Sequence, residues 1–153
     1  MTVVRYIDVA LTIPDNEAET ALATLRRFGL ALGGLRRHDL YRIEVEAERE
    51  AELLAMLPTL ETIYNPNKHV MSVRPDAEPR AGEVWIDEPR PETPAGEAVR
   101  VSGKVLPGVW RIDRLTAWHL SGDDGASAPP DAVAQATEAL LCNSAFQRAQ
   151  STR

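Results

Sequence analysis

The order of strand and helix patterns over residues 3–73 constrains the fold of this chain more than any other feature. The patterns run strand, helix, two strands, helix, strand. That succession is typical of an α+β module in which one antiparallel sheet is covered on one face by two helices. We therefore predict that residues 1–75 form such a module and that residues 76–153 form a strand-rich extension ending in a helix.

The first helix carries the clearest local signals. Residues 3–13 are rich in β-branched side chains and predict a strand. Asn16 is placed to cap the helix that follows, and Glu19 three residues later completes a capping box. Apolar side chains then recur at helical spacing as far as Phe28, and Gly29 is a natural end for the helix.

The remaining elements of the first half complete the module. Residues 35–37 predict a short strand, and His38–Asp39 predicts a hairpin turn into a strand over residues 40–47. In that strand apolar side chains alternate with charged ones, which indicates a sheet with one buried and one wet face. Residues 48–57 predict a second helix and residues 69–73 a last strand. Together these elements predict a ferredoxin-like βαββαβ fold whose open sheet face is suited to pairing.

The second half is less regular, and its three tryptophans lie on predicted strands. We expect at least two of Trp85, Trp110 and Trp118 to lie in a core, because large aromatic side chains dominate small cores. The predicted elements are a strand at 83–87, a loop at 88–97, strands at 99–106 and 109–120 joined by a turn at Pro107–Gly108, a helix at 131–142 with Val133, Ala136 and Leu140 inward, and a short helical tail.

Composition excludes several classes of function. The chain has 153 residues, of which 44% are hydrophobic and 26% charged, and its formal net charge is −6. This acidic balance argues against nucleic-acid binding, which needs clustered cations. Arg5 and Asp8 interrupt the first apolar run, so we predict neither a signal peptide nor a membrane span. Cys142 is the only cysteine, which rules out an internal disulfide and favours a cytoplasmic protein.

Few side chains have a spacing that indicates chemistry. No two of His38, His69 and His119 have the short spacing of a metal-ligand motif, and Cys142 follows two leucines as a small buried side chain would. We therefore predict no catalytic residue, no metal and no cofactor.

The segment between the second helix and the last strand is the one candidate binding site. Its polar residues are Asn65, Asn67, Lys68 and His69. Such residues could contact a ligand or a partner, because loops on a rigid scaffold often carry binding groups. Asn and Pro at the end of a helix equally serve to start a turn.

Three stretches of the first half resemble the PurS family, the small subunit of bacterial phosphoribosylformylglycinamidine synthase of purine biosynthesis. Residues 21–29 are similar to its first helix, residues 35–46 to its hairpin and acidic strand, and residues 60–66 to its second helix with an Asn-Pro turn. Residues 140–144 faintly echo the same turn, so the extension could be a degenerate second copy. The chain departs from the family in a shortened junction at residues 14–16, in Pro58 within the second helix, and in the long extension beyond Val73.

The resemblance implies a non-catalytic subunit. Proteins of this family pair through their sheets and help to join glutaminase and synthetase subunits, so a homo-oligomer with those partners is expected here. Two alternatives remain open. One is a small-molecule sensor of the ACT or P-II type, whose ferredoxin-like modules bind ligands at subunit interfaces. The other is a dimeric enzyme with His69 or His119 as acid or base, because fold alone does not fix function.

Overall fold

A computed structural model describes residues 1–90 and 97–152 and shows an α+β protein. The strands are β1 Thr2–Leu11, β2 Gly34–Glu46, β3 His69–Arg74, β4 Glu83–Asp87, β5 Arg100–Val101, β6 Lys104–Val105, β7 Val109–Ser121 and β8 Arg148–Ser151. The helices are α1 Asn16–Arg27, α2 Glu50–Met56 and α3 Pro130–Ala136. Short 3-10 turns at Ala47–Arg49 and Leu57–Thr59 flank α2, and a π-helical turn at Thr137–Leu141 follows α3.

One mostly antiparallel sheet contains six of these strands, in the order β3-β1-β2-β7-β4-β8. The pairs β1–β3, β4–β7 and β4–β8 are antiparallel. The strands β5 and β6 form a separate small hairpin. The predicted α+β class with a mainly antiparallel sheet is therefore confirmed.

The chain divides into two compact units that are not successive in sequence. Unit 1 contains Met1–Ile13, Asp39–Ala77 and Arg90–Arg114, and unit 2 contains Pro14–His38, Glu78–Pro89 and Leu115–Arg153. The strands β2 and β7 are long enough to pass through both units, each changing unit near its middle. Each unit consequently takes residues from both sides of residue 75, where the sequence predicted a division into module and extension.

Unit 1 has a core built on one face of its strands, with α2 and the turns around it packed against that face. In β2 the inward side chains Tyr41, Ile43 and Val45 are buried, whereas Arg42 and Glu44 are partly exposed, as the alternation predicted. The buried members of this core are Ile7, Val9, Tyr41, Ile43, Val45, Leu53, Leu57, Leu60, Ile63, Val99, Leu106 and Val109.

Unit 2 has its own core, to which α1 contributes Leu25. Trp85 is buried but is not a member of this core, Trp118 packs against the core while partly buried, and Trp110 is 61% exposed, so only one of the three tryptophans is fully buried. The buried members are Leu25, Leu32, Leu35, Val84, Ile86, Leu120, Ala128, Val133, Ala136 and Leu141.

The hairpin predicted at His38–Asp39 is wrong, because β2 is one continuous strand through both residues. Tight hairpin turns need residues that tolerate a positive φ, which is why Gly and Asn dominate them. Within residues 1–90 and 97–152, Ser102 is the only residue other than glycine with a positive φ. With an extended His38 and Asp39, the first half supplies three strands to the sheet instead of the four predicted.

The predicted first helix is confirmed, but its N-terminal cap and the exposure of its last apolar residue differ from the prediction. Asp15, not Asn16, is the cap, and its side chain accepts hydrogen bonds from the backbone N–H groups of Glu17 and Ala18. Gly29 ends the helix as predicted, with a φ of +90° that favours glycine. Phe28, expected on the inner face, is 58% exposed.

The third helix shows how one backbone feature shifts a predicted face. Val133 and Ala136 are buried as predicted, but Leu140 is 41% exposed and Leu141 is buried instead. The π-helical turn after Ala136 adds one residue to the turn, so that the inward position moves from the fourth residue to the fifth. The tail predicted as helix is the strand β8.

The predicted hairpin between residues 99–106 and 109–120 is also replaced. The first of these segments folds back on itself as β5 and β6, through Ser102 and Gly103 in the left-handed region (φ of 54° and 75°). The second is β7, a member of the large sheet. Residues 91–96 of the loop predicted at 88–97 lie outside the described residues.

Candidate functional site

The four residues predicted to bind form one hydrogen-bonded turn in unit 1 that leads into β3, of which His69 is the first residue. The carbonyl of Asn65 accepts from the backbone N–H groups of Lys68 (3.0 Å) and His69 (2.8 Å). The side chain of Asn65 accepts from the N–H of Asn67 at 2.9 Å, a pattern that mimics a backbone turn. These hydrogen bonds close the turn on Asn65 and fix where β3 begins.

His69 is held in this turn by its ring. Its Nδ1 accepts a hydrogen bond from the N–H of Asn65 at 2.9 Å, so that nitrogen carries no proton when the bond is made. The ring of Tyr64 lies tilted beside it, with the centroids 6.3 Å apart. His38 and His119 belong to unit 2, where His119 contacts the hydroxyl of Ser127 at 3.3 Å.

The strand that follows the turn lies at one edge of the sheet. On one side β3 pairs with β1, and within residues 1–90 and 97–152 no strand pairs with its other side. The N–H of Thr12 donates to the carbonyl of Lys68 at 2.9 Å, and this bond determines which alternate residues of β3 are hydrogen-bonded to β1. Because hydrogen-bonded positions alternate in an antiparallel pair, Val70 and Ser72 bond to β1, and the main-chain groups of Met71 and Val73 point outward.

The side chains of this edge are apolar and accessible. Val70 is 56% exposed and Val73 is 49% exposed, and no charged residue lies between Lys68 and Arg74. Natural edge strands are usually blunted by lysine, proline or a bulge, because open main-chain groups invite pairing with another strand. The run Val70–Val73 contains none of these devices, so β3 is suited to take up an additional strand.

An apolar cavity of about 230 Å³ lies beside the inner face of β3. Most of the residues that line it are aliphatic or otherwise apolar, and Tyr64 and Ser72 are the polar ones. Such a cavity can take the side chain of a docked strand or a small apolar molecule. The lining residues are Ile7, Leu54, Leu57, Pro58, Tyr64, Met71, Ser72 and Val73.

Opposite charges stand at the two ends of the edge. Lys68 is exposed just before β3. Asp76 lies just after it, and the guanidinium of Arg74 bonds its carboxylate at 3.2 Å. The side chain of Arg74 is buried, whereas Lys68 is exposed and the side chain of Asp76 is 37% exposed.

A second cavity of unit 1, about 190 Å³, is lined mainly by charged side chains. The carboxylate of Asp113 is 3.0 Å from the guanidinium of Arg42 and 2.8 Å from that of Arg111. Glu44 accepts a hydrogen bond from the hydroxyl of Thr2 at 3.2 Å. Because one carboxylate bridges two guanidinium groups here, this surface is polar and internally paired, in contrast to the apolar edge at β3.

Two kinds of site are absent from residues 1–90 and 97–152. No three His, Cys, Asp or Glu side chains among them are grouped so that they could hold a metal ion. No helix in the same residues has both the length and the apolar character needed to cross a membrane.

Sequence reasoning found the turn but missed the edge beside it. Met71, Ser72 and Val73 carry the accessible edge, and Asp76 carries the charge at its end. The signal in the sequence is a run of five residues, 69–73, without an Asp, Glu, Lys or Arg between Lys68 and Arg74. That run predicts a strand, but its position at an edge depends on the order of strands in the whole sheet.

Comparison with known proteins adds no relative, since no protein-family model and no curated protein matches this sequence.

Proposed function

We propose that this protein is a PurS-like, non-catalytic assembly subunit that acts by binding other protein chains, including copies of itself. The observation that carries the proposal is the accessible apolar edge of β3, whose Val70 and Val73 are about half exposed. Strand addition at such an edge supplies affinity through main-chain hydrogen bonds and specificity through pockets for alternate side chains. The cavity lined by Met71 and Val73 is a pocket of that kind.

The ferredoxin-like part of the proposal is supported by unit 1 alone. Its last N-terminal strand, β3, lies beside β1, and β1 lies beside β2, with α2 packed on the same core. In a ferredoxin-like module the last strand likewise lies beside the first, and the first lies beside the third. The place of the missing second strand, next to β2, is taken by β7.

Two measurements test the proposed function. Size-exclusion chromatography with light scattering should give a mass above that of one chain at high micromolar concentration. Affinity capture from the native host, with bound proteins identified by mass, should enrich the glutaminase and synthetase subunits of phosphoribosylformylglycinamidine synthase over a resin without bait. A strict monomer that captures neither subunit would contradict the proposal.

A second candidate is favoured by the apolar cavity itself: a sensor of the ACT or P-II type that binds a small molecule beside β3. The cavity of about 230 Å³ is smaller than the pockets of roughly 300–1,000 Å³ that hold drug-sized ligands, so any ligand would be as small as an amino acid. A thermal-shift screen with amino acids and nucleotides tests this. A reproducible shift that Leu54→Trp abolishes would favour sensing, whereas no shift with any compound would count against it.

A further inference from the structure

We propose that His69 is a proton-sensitive switch for the turn that leads into β3: the neutral ring closes the turn, and protonation of the ring opens it. The switch itself is inferred from the hydrogen bonds of the turn alone. Its use, which is control over the edge strand β3, rests on the proposed function. The pH would then decide when the start of this strand is ordered.

Asn65 and His69 are joined by two hydrogen bonds that run in opposite directions. The backbone N–H of His69 donates to the carbonyl of Asn65 at 2.8 Å, and the N–H of Asn65 donates to Nδ1 of the His69 ring at 2.9 Å. The second bond requires a lone pair on Nδ1, which a neutral ring has when its proton is on Nε2. The bond between ring and backbone therefore exists in one protonation state of His69 and not in the other.

Protonation of the ring leaves the N–H of Asn65 facing a second donor. Both nitrogens of a charged imidazole carry protons, so neither of them can accept. The bond to the ring is partly buried, and a donor that loses its acceptor in such a place costs more than an average hydrogen bond contributes. The charged ring consequently turns away from Asn65, and the turn loses one of the two bonds that join its ends.

The surroundings of the ring offer the charged form no compensation. The ring is tilted beside the phenol of Tyr64, with the centroids 6.3 Å apart, and Leu11 of β1 lies opposite His69 in the sheet. Within residues 1–90 and 97–152 the ring makes no ion pair, and its one side-chain hydrogen bond is the bond from Asn65. The charged side chains of β1 and of residues 57–68 are Arg5, Asp8, Glu61 and Lys68.

The turn lies where its opening affects both the edge strand and the apolar cavity. The carbonyl of Lys68, inside the turn, accepts from the N–H of Thr12 at 2.9 Å, so the turn is bonded to the chain just beyond β1. Tyr64, beside the ring, lines the cavity together with Met71 of β3. Opening of the turn should therefore release the start of β3 and one wall of the cavity.

Hydrogen exchange at the amide of Asn65 measures the switch directly, because this N–H is the donor to the ring. After correction for intrinsic exchange, its protection in the full chain should fall by on the order of tenfold between about pH 7.5 and about pH 5.5, where histidine side chains ordinarily become charged. The amide of Val70 should show a smaller loss in the same range. Protection at Asn65 that stays constant would overturn the proposal.

Two substitutions separate titration of the ring from the shape of the turn. His69→Asn places a carbonyl oxygen at the same number of bonds from the backbone as Nδ1, and an amide oxygen accepts without titrating. This variant should keep the protection of Asn65 and remove its pH dependence. His69→Leu supplies no acceptor and should show low protection at both pH values. If His69→Asn loses protection with pH as the wild type does, another group titrates and the proposal is wrong.

His119 provides the matched control. Its Nε2 lies 3.3 Å from the hydroxyl of Ser127, and a hydroxyl can either donate or accept, so this contact survives protonation of the ring. His119→Asn should leave the pH dependence at Asn65 unchanged.

A measurement on the wild type needs no substitution. Nitrogen NMR of the histidine side chains at about pH 7.5, where the ring is expected to be neutral, should place the proton of His69 on Nε2. A proton on Nδ1 at that pH would contradict the hydrogen bond on which the switch depends.

The outcomes separate this inference from the proposed function. If the protection of Asn65 changes with pH as expected but the protein is a monomer that captures neither the glutaminase nor the synthetase subunit, the switch stands and the assembly function fails. If those subunits are captured while the protection of Asn65 is independent of pH, the assembly function stands and the switch is wrong. If both hold, capture should weaken at acidic pH in the wild type and not in His69→Asn; equal weakening in both would show that the switch does not control the edge.

Discussion

The two units of this protein use the same long strands but end the sheet in different ways. In unit 1 the sheet ends with β3, a strand of six residues that carries no charge between Val70 and Val73 and whose Met71 packs against the unit 1 core. In unit 2 it ends with β8, the four residues Arg148–Ser151, every one of which is exposed. A short, polar edge strand is a common protection against pairing, and an apolar one is not. The difference indicates that unit 1, not unit 2, offers an edge for association.

The strongest test of this comparison removes the support beneath β3. Leu57 is buried in the unit 1 core and lines the cavity beside the edge. Leu57→Ala should lower the free energy of unfolding by about 2–5 kcal/mol, because the lost side chain leaves a cavity. Chemical denaturation measures this, and hydrogen exchange should show faster opening at the amides of Val70 and Ser72. Val105→Ala, at an exposed site of the same unit, should change stability by no more than about 0.5 kcal/mol.

The matching test in unit 2 uses two adjacent leucines of the π-helical turn. Leu141 is buried and Leu140 is 41% exposed, the reverse of what regular helical spacing predicts. Leu141→Ala should therefore cost about 2–3 kcal/mol of unfolding free energy, and Leu140→Ala less than about 0.5 kcal/mol. Equal losses from the two variants, measured by denaturant unfolding, would show that the inward position is not shifted by one residue.

A single lysine placed on each edge compares the edges themselves. Val73→Lys puts an ammonium group on the apolar edge, where pairing would have to bury it, and should weaken self-association by on the order of tenfold or more. Ala149→Lys puts the same charge on β8 and should leave self-association unchanged. Sedimentation over a concentration series measures both. The comparison fails if the β8 variant is the one that dissociates.

The sequence is enough to predict elements whose signals are local. The bounds of α1 follow from a capping residue, apolar spacing and Gly29, and β4 follows from a short run between breakers. The exposed and buried faces of β2 from Tyr41 onward likewise follow from the strict alternation of apolar and charged residues. The class of fold follows from these elements, because few arrangements bury their apolar faces.

The assignment of those elements to cores could not be predicted in the same way. Periodicity shows that α1 has an apolar face but not which strands cover it, and Leu25 packs in unit 2 while α2 packs in unit 1. The wrong prediction of a hairpin at His38–Asp39 has the same origin. Because β2 contributes residues to both units, it is longer than a strand that serves one unit alone. The candidate site shows this again: residues 65–69 have the composition of a turn, whereas the edge position of β3 depends on distant strands.

Alkaline pH should affect the two units unequally, although the effect is the smallest of those predicted. All three tyrosines of the chain lie in unit 1, and burial raises the pKa of Tyr41, an effect that nearby Asp39 increases and Arg114 opposes. Because the folded state favours the neutral phenol, its contribution to stability is complete below about pH 10 and is lost as the pH rises through the higher folded pKa. Wild-type unit 1 should therefore lose stability above about pH 10.

Tyr41→Phe isolates this contribution because it keeps the ring and removes the group that ionises. The variant should show a shallower fall in unfolding free energy between about pH 10 and about pH 12 than the wild type, with little difference at about pH 8. Denaturant unfolding across that range measures the slope, and hydrogen exchange assigns it to a unit. Amides of unit 1 near Ile43 should open faster with rising pH in the wild type than in the variant, after correction for intrinsic exchange. A loss of protection that is the same in both proteins, or that is confined to unit 2, would show that Tyr41 does not make unit 1 the alkali-sensitive part of the chain.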